Sequence, residues 1–276
     1  MTLSDPADRA ALLDSLIEAA VEAGAVVWEH FQKAVEFTSK SDESPVTAAD
    51  HAAEAIILAA LKRLAPDVPV VAEEEAAAGR IPDVSHAFFL VDPLDGTKEF
   101  IKRGTDFTVN IGLIEGGTPT MGVVFAPARA ELYWGDTAAG TACMADQSTS
   151  GRRESEGRPI RIRPLGERLV AVASKSHDTP QTEAYLKSCQ VAERVSIGSS
   201  LKFVLVASGQ ADVYPRPAPT MEWDTAAGHA VLLAAGGRVF DLDGEPLGYG
   251  KPRFFNPGFV ATGSYDPAPM RPFLGE

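Results

Sequence analysis

The sequence predicts a layered α/β fold, with helices and an antiparallel sheet in its first half and alternating strands and helices in its second. Three observations carry this reading. Residues 8 to 34, and again "SPVTAADHAAEAIILAALKRLAP", repeat Leu, Ile, Ala and Val at helical spacing. The stretch "FTVNIGLIEGGTPTMGVVFAPARAELYWGD" alternates apolar runs with Gly-Gly and Pro turns, as an antiparallel meander does. From "RLVAVAS" to "RVFDL" the pattern switches repeatedly between strand and helix.

Taken in order, two long helices open the chain, the second capped by Thr47 and stopped by Pro66. Two short buried strands follow, in "DVPVVAEEE" and "HAFFLVD", each ending in carboxylates, and then the meander. Residues 145 to 160, around "ADQSTSGRRESEGRP", are polar and almost free of apolar side chains, so they read as an exposed loop between the halves. The second half reads strand "RLVAVAS", helix "TPQTEAYLKSC", strand "ERVSIG", helix "SSLKFVLVASG", strand "ADVYPR", helix "WDTAAGHAVLLAAGG" and strand "RVFDL". No internal repeat of about 20 to 50 residues is present, which disfavours a solenoid.

At 276 residues, 45% hydrophobic and 23% charged, the chain has the composition of a soluble globular protein, enough for one large domain or two fused halves. Its 38 acidic and 25 basic residues leave a net charge of −13, which argues against nucleic acid or an anionic membrane as a partner for the whole molecule. Cys143 and Cys189 show no CxxC or zinc-type spacing, which fits a reducing cytoplasm. The first residues are acidic and amphipathic, and no apolar run reaches the roughly 18 residues needed to span a bilayer. A cytoplasmic protein without an integral membrane segment is expected; peripheral contact with the inner membrane face stays open, as does oligomeric state.

The segment "FLVDPLDGTKEF", residues 89 to 100, concentrates the chemistry. Pro93, with fixed φ and no N–H, should end the strand at Asp92. A turn through Pro93 and Leu94 then brings the Asp92 and Asp95 carboxylates to one side, with the Leu94 carbonyl facing the same point. Gly96 relieves crowding, and Thr97 is a good helix N-cap whose hydroxyl and following N–H groups suit a phosphate. Three oxygens beside such a cradle fit a hard cation carrying a phosphate. Glu73 and Glu74 end another strand, and Asp224 opens the apolar helix that ends at Gly236-Gly237. Each has a plain alternative: Asp224 as an N-cap, the glutamates as a solvated loop, and "DPLDGT" as a turn. Together, carboxylates at three element ends fit a two-magnesium phosphatase better than three unrelated features.

The stretches "FLVDPLDGTKEFIK" and "WDTAAGHAVLLAAGG" resemble the two signature motifs of the inositol monophosphatase superfamily. Within it, "KSDESPVTAAD", "VPVVAEEE", "SIGSSLKF", "YPRPAPT" and "FFNPGF" resemble the CysQ-type 3'(2'),5'-bisphosphate nucleotidases. The likeness covers nearly the whole chain and fades across residues 135 to 165. It implies a single αβαβα sandwich over residues 1–276, with halves 1–150 and 160–276. It also implies magnesium-dependent, lithium-sensitive removal of the 3'-phosphate from adenosine 3',5'-bisphosphate, a by-product of sulfate assimilation.

Carried over residue by residue, the resemblance makes Glu73, Asp92 and the Leu94 carbonyl ligands of one ion and Asp92, Asp95 and Asp224 ligands of a second, for two Mg2+ or three. It makes Thr97 the group that positions the water or phosphate, with Asp50 accepting its hydroxyl proton; Asp50 equally closes a capping box with Thr47. Substrate contacts implied are Glu73, Leu94, Asp95, Gly96, Thr97 and Asp224 at the reacting phosphate, and His177, Ser199, Ser200, Lys202 and Arg216 on the nucleotide side. The residues support the last of these: "GSS" turning into a helix offers N–H and hydroxyl donors, Lys202 a point charge, and Arg216, on a turn stiffened by prolines, a bidentate fork. The other histidines show no metal-ligand spacing. The sequence departs from the family at Ala72, where Ser often precedes the acidic pair, and in its inter-half loop. An inositol monophosphatase or sugar bisphosphate phosphatase would share every metal ligand, and a non-catalytic scaffold would show degraded ones; here all are intact.

Overall fold

The computed structural model describes residues 5–33, 37–39, 45–174 and 179–274. Helix α1 spans Pro6–Gln32; Asp5 caps it, its Oδ1 accepting the N–H groups of Ala7 at 2.8 Å and Asp8 at 3.3 Å. A short hairpin, β1 (Phe37–Ser39) with β2 (Pro45–Thr47), precedes α2 (Ala48–Leu64). The side chain of Thr47, the expected cap, lies outside the described residues. The seven-stranded sheet then runs in chain order: β3 (Val70–Ala72), β4 (Ala87–Asp95), β5 (Thr108–Glu115), β6 (Thr118–Ala126), β7 (Glu131–Asp136), β8 (Thr141–Asp146) and β9 (Arg158–Pro159). Only β3 and β4 pair in parallel; the rest is the expected meander. Two short helices interrupt it, α3 (Glu73–Ala77) and α4 (Thr97–Ile101).

The second half supplies β10 (Val170–Ser174), α5 (Pro180–Ser188), β11 (Glu193–Ile197), α6 (Leu201–Ala207), β12 (Val213–Arg216), β13 (Thr220–Met221), α7 (Trp223–Ala234), β14 (Arg238–Phe240), β15 (Phe255–Asn256) and β16 (Phe259–Thr262). Five strands form one mixed sheet in the order β11-β10-β12-β16-β14, parallel at β10 and antiparallel around β16.

Alternation along the strands dictates how the layers stack. Val109, Ile111, Val123 and Phe125 face α1 and α2, packing on Leu16, Val27 and Ile57. Val124, Ala126 and Tyr133 point the other way, onto Val204 and Val206 of α6 and Ala227 and Val231 of α7, which also meet Val172 and Phe259 of the second sheet. Ala171, Val213 and Val260 face outward onto Tyr185 and Leu186 of α5. The result is α, β, α, β, α, with α7 in the middle. That helix approaches the first sheet so closely that a Cβ on Gly122 would lie 2.2 Å from the Ala227 carbonyl oxygen, so only glycine fits. This contact sets the depth of Asp224 against β4.

The polar stretch after β8 is largely exposed, as expected, and it is held in place by its own side chains: Gln147 is 1% exposed, and its amide donates to the carbonyls of Ser148 and Arg152 at 2.9 and 2.7 Å while accepting from Glu154 N at 3.0 Å. Arg153 lies over Trp134 and pairs with Asp14 of α1. Its side chains satisfy its own backbone, which is why it can lie flat without apolar residues. Arg9 of α1 is buried at 7% exposure between Asp136 (2.9 Å) and Glu115 (2.7 Å).

Candidate active site

Strand β4 does not end at Asp92. Its pairing with β5 shifts register between Asp92, opposite Asn110, and Asp95, opposite Thr108, so three steps on β4 match two on β5. In a regular strand, residues three apart face opposite sides; the extra residue turns both carboxylates to one face. Pro93 supplies the break, and Leu94 N donates to Asp92 Oδ1 at 3.0 Å, holding the bulge. Gly96 follows with φ 94° and is itself the N-cap of α4; Thr97 is the first helical residue rather than the cap. Its hydroxyl donates back to the Leu94 carbonyl at 3.1 Å, the nearest acceptor one turn behind, and not to Asp50.

Glu73, Glu74 and Glu75 form the first turn of α3, not a loop. Glu54 of α2 holds that turn, accepting the N–H groups of Glu74 at 2.8 Å and Glu75 at 3.1 Å. Burial, with help from the Glu74 and Glu75 charges, pushes the Glu54 carboxyl up to about 7. Sequence reading missed Glu54, whose signal is an acid four residues after Asp50 on the face of α2 that carries Ala53, Ile57 and Leu61. Asp50 is buried in the first turn of the same helix.

From the second half, Asp224 lies one residue inside α7, Glu222 being the cap position, and its Oδ2 accepts Met221 N at 2.9 Å. Ser200 Oγ lies 3.0 Å from Asp95 Oδ2 and 2.8 Å from the Asp224 carbonyl oxygen, tying the halves together. Lys202 is 4% exposed, donates to the Ser199 carbonyl and sits 5.4 Å from the Tyr214 ring centroid. It is therefore no solvated surface lysine. Arg216 folds onto its own turn, reaching the carbonyls of Ala218 at 3.2 Å and Pro219 at 3.4 Å. His177 lies outside the described residues.

The electrostatics bind these groups into one cluster. Burial first, then the charges of Glu73, Asp95, Asp224 and Asp50, hold the Asp92 carboxyl well above the usual carboxylate range. Burial raises Asp95 too, opposed by Lys202 and the Ser200 hydrogen bonds. Asp224 is pushed up to about 7 by burial and by Asp95. Lys202 is lowered to about 8 by burial, against the pull of Asp95. The donors are hard oxygens with excess negative charge, and among the described residues no sulfur or imidazole ligand joins them; that set fits magnesium. Among the described residues, though, no three His, Cys, Asp or Glu side chains close on one point as a finished cage.

Beneath the bulge, Asn110 and Thr108 present buried polar atoms with no protein partner, on the same face as Asp92 and Asp95. His229, by contrast, is a core residue: burial lowers it to about 3, and its Nδ1 lies 3.0 Å from Tyr249 Oη. Tyr249 in turn donates to Thr225, next to Asp224, and Asn256 of "FFNPGF" donates to the same hydroxyl, each at 3.0 Å. That motif thus supports the start of α7.

Residues 8–265 match the sequence profile described as the inositol monophosphatase family. The 3'(2'),5'-bisphosphate nucleotidase CysQ of Salmonella typhimurium is 45% identical over 255 residues, 91% of this chain and 99% of that protein. CysQ of Escherichia coli strain K12 is 46% identical, over 90% of this chain and 98% of that protein. Among solved structures, CysQ from Bacteroides thetaiotaomicron superposes with a TM-score of 0.77 at 38% identity, covering 91% and 96% of the two chains. An inositol monophosphatase from Anabaena gives a TM-score of 0.72 at 28% identity, covering 92% and 91%.

Proposed function

The chain belongs to the inositol monophosphatase family, and on that premise we propose that it is a magnesium-dependent 3'(2'),5'-bisphosphate nucleotidase, removing the 3'-phosphate of adenosine 3',5'-bisphosphate to leave AMP. The nucleotidase names of its relatives at 45% and 46% identity support the substrate class. The structural observation that carries the reading is Asp92: a carboxyl 1% exposed, with Glu73, Asp95, Asp224 and Asp50 as its charged influences, is held in its protonated form by burial and like charge, and a cation is what would let it ionise there at neutral pH.

Glu73, Asp92 and the Leu94 carbonyl would hold one ion, and Asp92, Asp95 and Asp224 a second, with Asp92 shared. Magnesium bound there supplies acidity to water and neutralises charge on the attacking and leaving oxygens. Asp92 and Asp95 face one way because of the bulge, so a phosphate meets both from the same side. Gly96, at φ 94° and packed against the Asp106 carbonyl, turns the chain into α4. Thr97 frees its hydroxyl from the Leu94 carbonyl to orient the phosphate, and Asp50, buried below, accepts the hydroxyl proton. Ser199, Lys202 and Arg216 hold the phosphate that does not react, with His177 toward the adenosine. Arg216 gives up only two long bonds to carbonyls when it does so. Ser200 fixes Asp95 relative to Asp224.

The test is Asp95→Asn, assayed for phosphate release with magnesium and with chelator. The expected result is loss of activity with the fold retained; near-normal turnover would overturn the ligand assignment.

A further inference from the structure

Asp106 lies just before β5, outside the ligand set, yet it touches both halves of the site. It is 2% exposed, and its Oδ2 accepts the N–H of Gly198 at 3.2 Å while Oδ1 accepts from Arg129 Nη1 at 3.3 Å. The backbone around it is clamped as well. A Cβ on Gly198 would fall 2.9 Å from the Asp106 Cβ and carbonyl oxygen, and one on Gly96 would fall 2.7 Å from that same oxygen. One carbonyl is thus wedged between the turn that follows Asp95 in the first half and the turn that leads to Ser200 in the second.

Gly198 begins the short link whose other end is Ser200, within hydrogen-bonding distance of both the Asp95 carboxylate and the Asp224 carbonyl. Ser199 between them has φ 51°, a left-handed conformation that a residue with a side chain holds only when its neighbours are fixed. Both neighbours are fixed: Gly198 by Asp106, Ser200 by the two aspartates. Arg129 also bonds Glu131 at 3.2 Å, so the guanidinium holding Asp106 is itself anchored.

We propose that Asp106 is a positioning residue that, through Gly198 and Ser200, sets the spacing between Asp95 and Asp224 and so tunes the affinity for the cation they share. This rests on the ligand assignment given above. Asp106 touches no reacting atom. Loss of its carboxylate frees Gly198, lets Ser199 relax, and removes the constraint on where Ser200 holds Asp95.

The experiment titrates magnesium against the substrate-free protein and follows the rise in Tm, in parallel with the magnesium demand of phosphate release. Loss of one hydrogen bond to a charged group should raise the magnesium concentration for half the thermal shift about tenfold in Asp106→Ala. Asp106→Asn keeps an acceptor for Gly198 N–H and should recover most of that. Ser200→Ala should move the midpoint in the same direction as Asp106→Ala. A lower metal-free Tm with the wild-type magnesium midpoint in Asp106→Ala would overturn the inference and leave Asp106 as part of the fold only. If Asp106→Ala does not fold, an unchanged midpoint in Ser200→Ala overturns it instead. A wild-type protein whose Tm does not respond to magnesium refutes the ligand assignment itself, a result distinct from variants that match a responsive wild type.

Discussion

Replacing Asp224 with Asn should make the metal-free protein more stable, and more so at alkaline pH. Burial and the Asp95 charge push the Asp224 carboxyl from 3.8 up to about 7. The folded chain therefore keeps this proton up to about pH 7, whereas the unfolded chain releases it near 3.8. Between those values the folded state binds more protons, so stability falls as pH rises, and above about 7 the full cost is present. A difference of about three units is worth about 4 kcal/mol. Asp224 is partly exposed, and solvent screening leaves roughly half of this, ~2 kcal/mol. For a chain of this size that is a Tm increase of about 4 to 8 °C. Asparagine keeps the oxygen that accepts Met221 N–H, so no hydrogen bond is lost with the charge. The assay is thermal unfolding with chelator at pH 8.5 and pH 5. The variant should gain at pH 8.5, less than half as much at pH 5, and should lose the stabilisation that magnesium gives the wild type. A variant no more stable than wild type at pH 8.5, or equally favoured at both pH values, would refute the reasoning.

Lys202→Ala should lower kcat/KM on adenosine 3',5'-bisphosphate by roughly 10- to 150-fold, the worth of a charge-assisted contact, with little change on 3'-AMP. A thermodynamic cycle over both substrates measures this, and equal losses would mean that Lys202 serves Asp95 rather than the second phosphate. Arg9→Met should strand Asp136 and Glu115 and cost about 3 kcal/mol in urea unfolding, while leaving the magnesium midpoint unchanged; a shifted midpoint would show that α1 reaches the site.

Much of the molecule was legible because local rules and global packing agree. The apolar spacing of α1 and α2, the meander from β5 to β8 and the strand-helix alternation of the second half each follow from periodicity, and each is present. The acidic residues stood out because carboxylates at element ends are rarely there for packing. What stayed hidden depends on contacts distant in sequence. Pro93 announced an interruption, but only pairing with Asn110 and Thr108 shows that β4 resumes beyond it as a bulge. Glu54 is one acid among many until α3 docks on it. Asp106 looks like a loop aspartate, since nothing in "RGTDF" tells that Gly198 will lie against it. The stretch after β8 is as exposed as its composition indicates, but composition does not show that Gln147 ties its backbone together.

The most direct measurement of the central claim compares phosphate release from adenosine 3',5'-bisphosphate, inositol phosphate and fructose bisphosphate, side by side with magnesium and with chelator. In the proposed reading the buried Lys202 near Asp95, with Arg216 at the end of β12, would serve a second phosphate on the substrate. The account predicts that adenosine 3',5'-bisphosphate has the highest kcat/KM of the three and that chelator abolishes its turnover. A preference for inositol phosphate, or turnover that persists in chelator, would contradict it.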